Sequence, residues 1–334
     1  MYNRVVQIDD LTRILIYIPC HKDYDLALSN VNKISKQLTN LQIPSSTFSI
    51  DVLVSVNDAK VNVIEDKNLD KIEFSEDLGA DLNINLGFVK ALERQVDYLW
   101  ILSANEILKD DAIKNLVDLI QANSQYDLLV TNADNRKGMI EISNIYDLPS
   151  KLSLGLISGV IYKTLNTKKF FSLGLKYNFT GWGHLAVVQG CIDGLPKFHI
   201  YEFPDSQLFE KPVTKLYETD LNIYEYVKQA YRHSFYGEII LMPIVFGFDK
   251  SRIRKFIRLW FRRNWFRIGF YYNKKALHEN EMNDVTNWSY RVFLYIIRNY
   301  NFLVYFLILI LRWIDFDFVN KSSKVKHLLK GIFK

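Results

Sequence analysis

Five polar side chains stand where apolar runs stop: His21, Asp58, Asp81, Asn105 and Glu106. Four of them offer oxygen atoms, which accept hydrogen bonds from hydroxyl and N–H groups and can hold hard cations. The fifth, an imidazole, exchanges a proton near neutral pH. A second group lies further along. Ser158-Gly159 interrupts an apolar run, and Asn178-Phe179-Thr180-Gly181-Trp182-Gly183-His184 sets two glycines around a tryptophan before another apolar stretch. Glycine permits close backbone approach to a ligand, an indole stacks on flat or apolar faces, and His184 is suited to general-base work. Asp193 and His199 are reserve ligands or acids. Each residue also has a plainer use: aspartate and asparagine serve as turn and cap residues, His184 suits a helix start, and Gly159 suits a bulge.

The elements that must position these groups follow from periodicity. Arg13–Ile18 is a continuous apolar run, the pattern of a strand buried on both faces, and Pro19 is expected to end it. Tyr24–Leu41 reads as a helix with Leu26, Val31, Ile34 and Leu38 on one face. Ile50–Val56 is a second strand and Lys71–Phe74 a weaker third, and Gly79–Asn83 leads to a helix over Gly87–Gln95. Asp97–Leu102 is another buried strand. Asp110–Ala122 is an amphipathic helix with acidic residues in its first turn, and Tyr126–Thr131 a further strand. Leu156–Tyr162 is a short strand with a polar break, Leu185–Cys191 a helix, and His199 ends a strand-like run.

Strands alternating with helices imply an α/β fold with a doubly wound, mostly parallel sheet. In such sheets ligands sit beyond the carboxyl ends of the strands, where the five polar residues fall. No Gly-x-Gly-x-x-Gly fingerprint and no Gly-x-x-x-x-Gly-Lys-Ser/Thr loop follows any predicted strand, so dinucleotide and phosphate-loop readings lose support. The edge must hold its ligand with side chains and, if needed, a metal. Two cysteines, Cys20 and Cys191, make neither a disulfide scaffold nor a zinc site. Met1–Thr12 shows no charged-then-apolar pattern, so no secretory leader is expected.

The segment Ile18-Pro19-Cys20-His21, the strand ending in Asn57-Asp58, and Gly79-Ala80-Asp81-Leu82-Asn83 followed by Asp97–Glu106 resemble the nucleotide-binding half of family-2 glycosyltransferases of the GT-A type, in the abequosyltransferase-like branch. The likeness rests on order and spacing over about residues 10–210. It implies inverting transfer of a sugar from a nucleotide-sugar donor to a saccharide acceptor, lipid-linked or not, in surface polysaccharide assembly. It places the donor against Pro19, His21, Asp58, Asp81, Ser103, Asn105 and Glu106, with Asp58 accepting from the base and Asp81 facing base or ribose. It places the acceptor against Ser158, Gly159, Thr180 and Trp182. The family's Asp-x-Asp neutralises the leaving diphosphate through Mg²⁺ or Mn²⁺. Here Ser103, Asn105 and Glu106 stand in its place, so Asn105 and Glu106, with His199, are the expected metal ligands. The family's Glu-Asp near residue 185 is absent, which implies His184 as the base and Asp193 as its substitute.

Net charge is +5, but the 18 Lys/Arg and 6 Asp/Glu between Asp249 and Lys334 leave the preceding residues acidic. Lys250–Arg267 carries eight Lys/Arg and no acid among Phe256, Ile257, Leu259, Trp260, Phe261, Trp265 and Phe266. A basic surface beside an aromatic one suits an interfacial helix on anionic lipid or a nucleic-acid contact. The ten apolar residues Phe302–Leu311 favour lipid over nucleic acid. A span needs about 20 such residues, so a monotopic or re-entrant anchor is expected, with a buried core helix as the alternative. The expected organisation is a catalytic domain over 1–215 and a helical, membrane-associating region over 216–334, at the cytoplasmic side of a membrane. A nucleotidyltransferase-like enzyme and a non-catalytic nucleotide-binding protein are the rival readings.

Overall fold

The computed structural model describes residues 11–20, 24–41, 47–57, 70–131, 138–142, 146, 157–178, 183–202, 208–210, 237, 239–243, 245–272 and 284–311. Two compact units, Met1–Thr214 and Lys215–Lys334, divide the chain.

The first unit is built on an eight-stranded sheet. Its strands are β1 (Thr12–Cys20), β2 (Phe48–Val56), β3 (Lys71–Glu73), β4 (Tyr98–Ile101), β6 (Leu128–Val130), β7 (Gly138–Ile142), β8 (Val160–Lys163) and β9 (Phe198–Glu202), in the spatial order β3-β2-β1-β4-β8-β6-β9-β7. The strands β3, β2, β1 and β4 run parallel, and so do β6 and β9. The strand β8 is antiparallel to both β4 and β6, which sets β6 parallel to β4, and β7 is antiparallel to β9. The apolar run Ile14–Ile18 is wholly buried, as a strand covered on both faces must be.

Pro19 does not end β1, contrary to the sequence expectation; the strand continues through Cys20, with Pro19 opposite Ser55. The reason is directional. Tyr17 O accepts from Leu102 N and Cys20 O from Asn57 N, both at 2.9 Å. Alternate residues therefore point to β4 and to β2, and Pro19 shares Tyr17's side. The β1–β4 ladder stops at Tyr17 opposite Ile101, so the missing N–H of Pro19 falls where no partner strand remains.

Helices cover the sheet: α1 (Tyr24–Asn40), α2 (Gly79–Glu93), α3 (Ala112–Ala122), the short α4 (Thr164–Thr167) and α5 (Phe171–Lys176), and α6 (Gly183–Gly194). One helix face and two boundaries depart from expectation. Leu26 of α1 is exposed, and its buried face carries Asn30 and Gln37 beside Val31 and Ile34. Residues 79–83 are the opening of α2 rather than a lead-in, because Asn57 and Asp77 fix its start: Leu78 N donates to Asn57 Oδ1 at 2.7 Å and Gly79 N to Asp77 Oδ1 at 2.8 Å. The acids Asp110 and Asp111 precede α3 instead of occupying its first turn. The capping oxygen there comes from another helix, Gln37 Oε1, which accepts from Ile113 N at 2.8 Å.

The second unit contains α7 (Lys250–Tyr272), α8 (Asp284–Tyr300) and α9 (Phe302–Leu311). Ile253, Phe256, Ile257, Trp260 and Phe261 of α7 are buried, and the Trp260 ring meets Phe293 of α8 edge-on at 5.6 Å. The aromatic residues of α7 expected to enter a lipid headgroup layer are thus, for Phe256, Trp260 and Phe261, core residues of a helical unit. Amphipathic periodicity alone does not say whether an apolar face meets lipid or protein. No helix among the described residues is long and apolar enough to cross a membrane.

Candidate functional site

The carboxyl ends of β1, β2 and β4 share one edge of the sheet, and the chain leaves each of them through polar residues. Asn57, just past β2, is fully buried and acts as a bracket: its Nδ2 donates to Asp77 Oδ1 at 2.6 Å, its Oδ1 holds Leu78 N, and Tyr24 Oη donates to its carbonyl. Asn83, one turn into α2, closes the floor beneath. Its Nδ2 donates to Cys20 O at 3.2 Å and Ser55 O at 3.3 Å, while the Ser55 and Tyr17 hydroxyls donate to its Oδ1. Burial drives the Tyr17 phenol far above its ordinary range, so it stays a neutral donor. Asp81 sits half-buried in the first turn of α2 at this edge.

The turn after β4 carries Ser103, Asn105 and Glu106, and it is held from below by a polar row on α1. Asn30 Nδ2 donates to Glu106 O at 2.8 Å and to Ala104 O at 3.3 Å, Lys33 Nζ to Leu108 O at 3.0 Å, and Gln37 Nε2 to Lys109 O at 2.8 Å. Positions 30, 33 and 37 share a helix face. Asn105 and Glu106 do not cap α3, because the short strand β5 (Ile107–Leu108) intervenes and pairs with β10 (Phe209–Glu210). Asn30→Ala leaves buried carbonyls without a donor. It is expected to cost about 1–3 kcal/mol, as read by the urea midpoint.

Ser158 joins this turn to β8. Its Oγ accepts from Ser103 N at 2.9 Å, and its carbonyl accepts from the buried Trp100 Nε1 at 2.8 Å. Gly159 follows, with its carbonyl accepting from Thr131 N at 2.7 Å at the carboxyl end of β6. Because β8 runs antiparallel to β4, its beginning lies at the same edge as the end of β4. Glu106 is 6% exposed and one of its oxygens, Oε2, has no hydrogen-bond partner. Burial raises its carboxyl to about 7, against which its hydrogen bond with Ser158 acts weakly.

Asn105 is exposed and Glu106 is the one carboxyl on the turn. No group of three or more His, Cys, Asp or Glu residues suited to a metal ion occurs among the described residues. Hard divalent cations favour several charged oxygens. Glu106 supplies one carboxyl, fewer charged oxygens than such a cation favours. Mn²⁺ alone is therefore expected to leave the melting temperature unmoved; a shift that Glu106→Gln abolished would restore the metal reading.

Two sequence-derived assignments are corrected by topology. His199 begins β9, at the opposite edge of the sheet, where its backbone N donates to Asp127 Oδ2 at 3.0 Å. Its ring lies 3.5 Å from Asp127 Oδ2 and 3.4 Å from Glu141 Oε2. It has no access to the Ser103–Glu106 turn and is not a metal ligand there. Asp193 ends α6, nine residues after His184. At ~1.5 Å per residue it is about 14 Å along the axis from that histidine, too far to replace it.

His184 is the second residue of α6 and is 6% exposed, with its carbonyl facing the Tyr162 hydroxyl at 3.5 Å. The start of α6 packs on α2. A Cβ on Gly183 would stand 2.8 Å from Asn85 Cγ, so only glycine allows this approach. Asn85 Nδ2 donates to Asn178 Oδ1 at 3.1 Å, while its own Oδ1 is buried without a partner. Asn83 and Asn85, two residues apart on one helix, thus point to the sheet edge and to the start of α6. His21, Asp58, Thr180 and Trp182 lie outside the described residues. Asn30, Asn57, Asn83 and Asn85 were missed in the sequence. Of these, Asn30 alone stands inside a predicted helix, where local propensity disfavours an amide side chain unless it is bonded; the other three carry no such signal.

No family model matches the sequence, and no curated protein sequence matches it. Among solved structures, the chain is similar to residues 1–349 of TarS from S. aureus in complex with UDP-GlcNAc. That similarity has 11% identity and a TM-score of 0.50, and covers 88% of this chain and 83% of that one. The same TarS fragment without that ligand gives 11% identity and a TM-score of 0.49, over 88% and 82% of the two chains. At this identity the likeness speaks to the fold alone, which is mixed α/β with a mostly parallel sheet.

Proposed function

We propose that the chain transfers a sugar from a nucleotide-sugar donor to a saccharide acceptor, lipid-linked and presented at the cytoplasmic face of a bacterial membrane, in surface polysaccharide assembly. One observation carries this reading: the Asn57–Asp77–Asn83 bracket, the Ser103–Glu106 turn and the Ser158–Gly159 turn belong to one edge of a GT-A-like sheet. The fold shared with TarS, which has been crystallised with UDP-GlcNAc, supports a donor of that class.

In this reading Asp58 takes the nucleotide base, His21 the ribose or diphosphate, and Asp81 assists from the start of α2. The donor's diphosphate lies over the Ser103–Asn105 turn. The acceptor rests on Ser158, Gly159, Thr180 and Trp182, with the indole stacked on its apolar face. The acceptor hydroxyl attacks the anomeric carbon from the side opposite the diphosphate, giving inversion. Its proton passes to His184 as the new C–O bond forms and the bond to the diphosphate breaks, releasing nucleoside diphosphate. Hexosyl and deoxyhexosyl donors both suit the scheme. Unit-two basic residues hold the protein at anionic lipid, near the acceptor.

Thermal-shift measurement with UDP-, GDP-, CMP- and dTDP-sugars finds the donor, and product analysis then tests the reaction. Nucleoside diphosphate release is expected. Release of pyrophosphate would mean nucleotidyl transfer, and binding without turnover across acceptors would mean a non-catalytic protein.

A further inference from the structure

Phe256, Trp260 and Phe261 are buried in the helical unit, and among the described residues α9 presents an outward apolar surface. Phe302 (67% exposed), Leu303 (64%), Phe306 (52%) and Ile310 (40%) form one face of α9, opposite the buried Val304 and Ile308. Their offsets of one, four and eight residues keep them within about a third of a turn of one another. Val304 and Ile308 complete the packing of α9 in its unit, so the outer face is surplus to folding. A soluble helix ordinarily places charge there. Residues 302–311 carry none, and a contiguous exposed apolar face of this kind marks an interaction surface.

From Val285 to Leu311 the charges are all of one sign. Arg291 and Arg298 are exposed on α8 at the spacing of one helix face, on either side of Tyr295, itself 69% exposed. Arg254 of α7 donates from Nε to Tyr300 O at 3.1 Å, which brings its guanidinium to the start of α9. No Asp or Glu occurs between Val285 and Leu311. An exposed apolar face in a stretch that carries arginines and no acid complements a layer of anionic headgroups over acyl chains. Ten residues make a helix of about 15 Å, half of what a bilayer core requires, so the helix lies in the plane of the interface.

We infer that the α9 face formed by Phe302, Leu303, Phe306 and Ile310, together with the exposed Arg291 and Arg298 of α8, seats the protein on an anionic lipid surface. This deepens the membrane reading above and moves its apolar contact from α7 to α9. Arginine contacts headgroup phosphates, and the apolar side chains displace water at the acyl boundary.

Co-sedimentation of the full chain with phosphatidylcholine vesicles, with and without phosphatidylglycerol, tests it. The chain is expected to sediment with the anionic vesicles. Replacing Phe302, Leu303 and Phe306 together by serine is expected to weaken that binding at least about tenfold, with an unchanged melting transition because all three side chains are exposed. Arg291→Ser with Arg298→Ser is expected to erase the preference for phosphatidylglycerol. Equal sedimentation of the triple variant and the parent, or no sedimentation of either, would overturn the inference. So would a parent dimer that the triple variant dissociates, since a second copy would then cover the face. Donor binding by thermal shift is run on the same preparations. Its failure beside intact vesicle binding strikes the sugar-transfer reading alone, and the converse strikes this inference alone.

Discussion

His184→Ala is expected to lower the rate of sugar transfer by about 10²- to 10⁴-fold, the usual contribution of a positioned general base, with donor affinity nearly unchanged. The expectation rests on place and on chemistry. The described part of α6 offers no carboxylate at its start; its one acid, Asp193, is at the far end. Imidazole is the side chain there able to take a proton near neutral pH. The Gly183–Asn85 contact fixes the first turn of α6 against α2, whose own start belongs to the sheet edge. Because His184 is buried, its removal leaves a small void, so His184→Gln serves as a second variant of closer volume. Melting temperature, donor thermal shift and initial rate are compared. Loss of rate in both variants with the donor shift retained supports the base. A rate equal to the parent in either folded variant removes His184 from the chemistry.

Glu106→Gln is expected to make stability less dependent on pH and to raise it above neutrality. The sign follows from proton binding. In the unfolded chain the carboxyl loses its proton near its ordinary 4.5, whereas burial keeps the proton on in the folded chain up to about 7. Between those values the folded state binds the extra proton, so raising the pH costs stability, in total about 3 kcal/mol. The contribution is intact below the lower value and gone above the upper one. Glutamine keeps the neutral shape and the contact to Ser158 without titrating. Urea unfolding of parent and variant should nearly agree at pH 5 and diverge by up to about 3 kcal/mol at pH 8 in favour of the variant. Glu106→Ala should instead destabilise at both, because the Ser158 hydroxyl loses a partner and a cavity opens. If Glu106→Gln were the less stable form at pH 8, the carboxylate would have a cationic partner, and a role at the diphosphate would return.

The two substitutions also separate the functions of the rim. Glu106 belongs to the scaffold that sets Ser103 N against Ser158 Oγ, so Glu106→Gln should retain turnover within a few-fold. His184 should not tolerate exchange. The opposite outcome, with transfer lost in Glu106→Gln and kept in His184→Ala, would assign the chemistry to the turn after β4.

Local pattern by itself determined β1 to β4, β6 and β8 and the helices α1, α3 and α6 of the first unit. Ile14–Ile18, Val52–Val56 and Leu99–Leu102 are apolar because both sheet faces are covered, and burial on that scale is written in consecutive residues. It also determined that polar groups leave those strands at one edge, since parallel order follows from strand–helix alternation. Only the tertiary structure decided what those groups do. Asn30 holds Glu106 O from 76 residues away and Asn85 meets Asn178 from 93, distances in sequence that no period records. His199 and Ser103 are alike in kind, each beside an apolar run, yet they lie at opposite edges because one begins a strand and the other follows the end of a strand parallel to it. Likewise α7 and α9 both carry apolar faces, and the fold alone buries the aromatic face of the first and exposes that of the second. Hydrophobicity is a property of a side chain, but which surface covers it is settled by the rest of the chain.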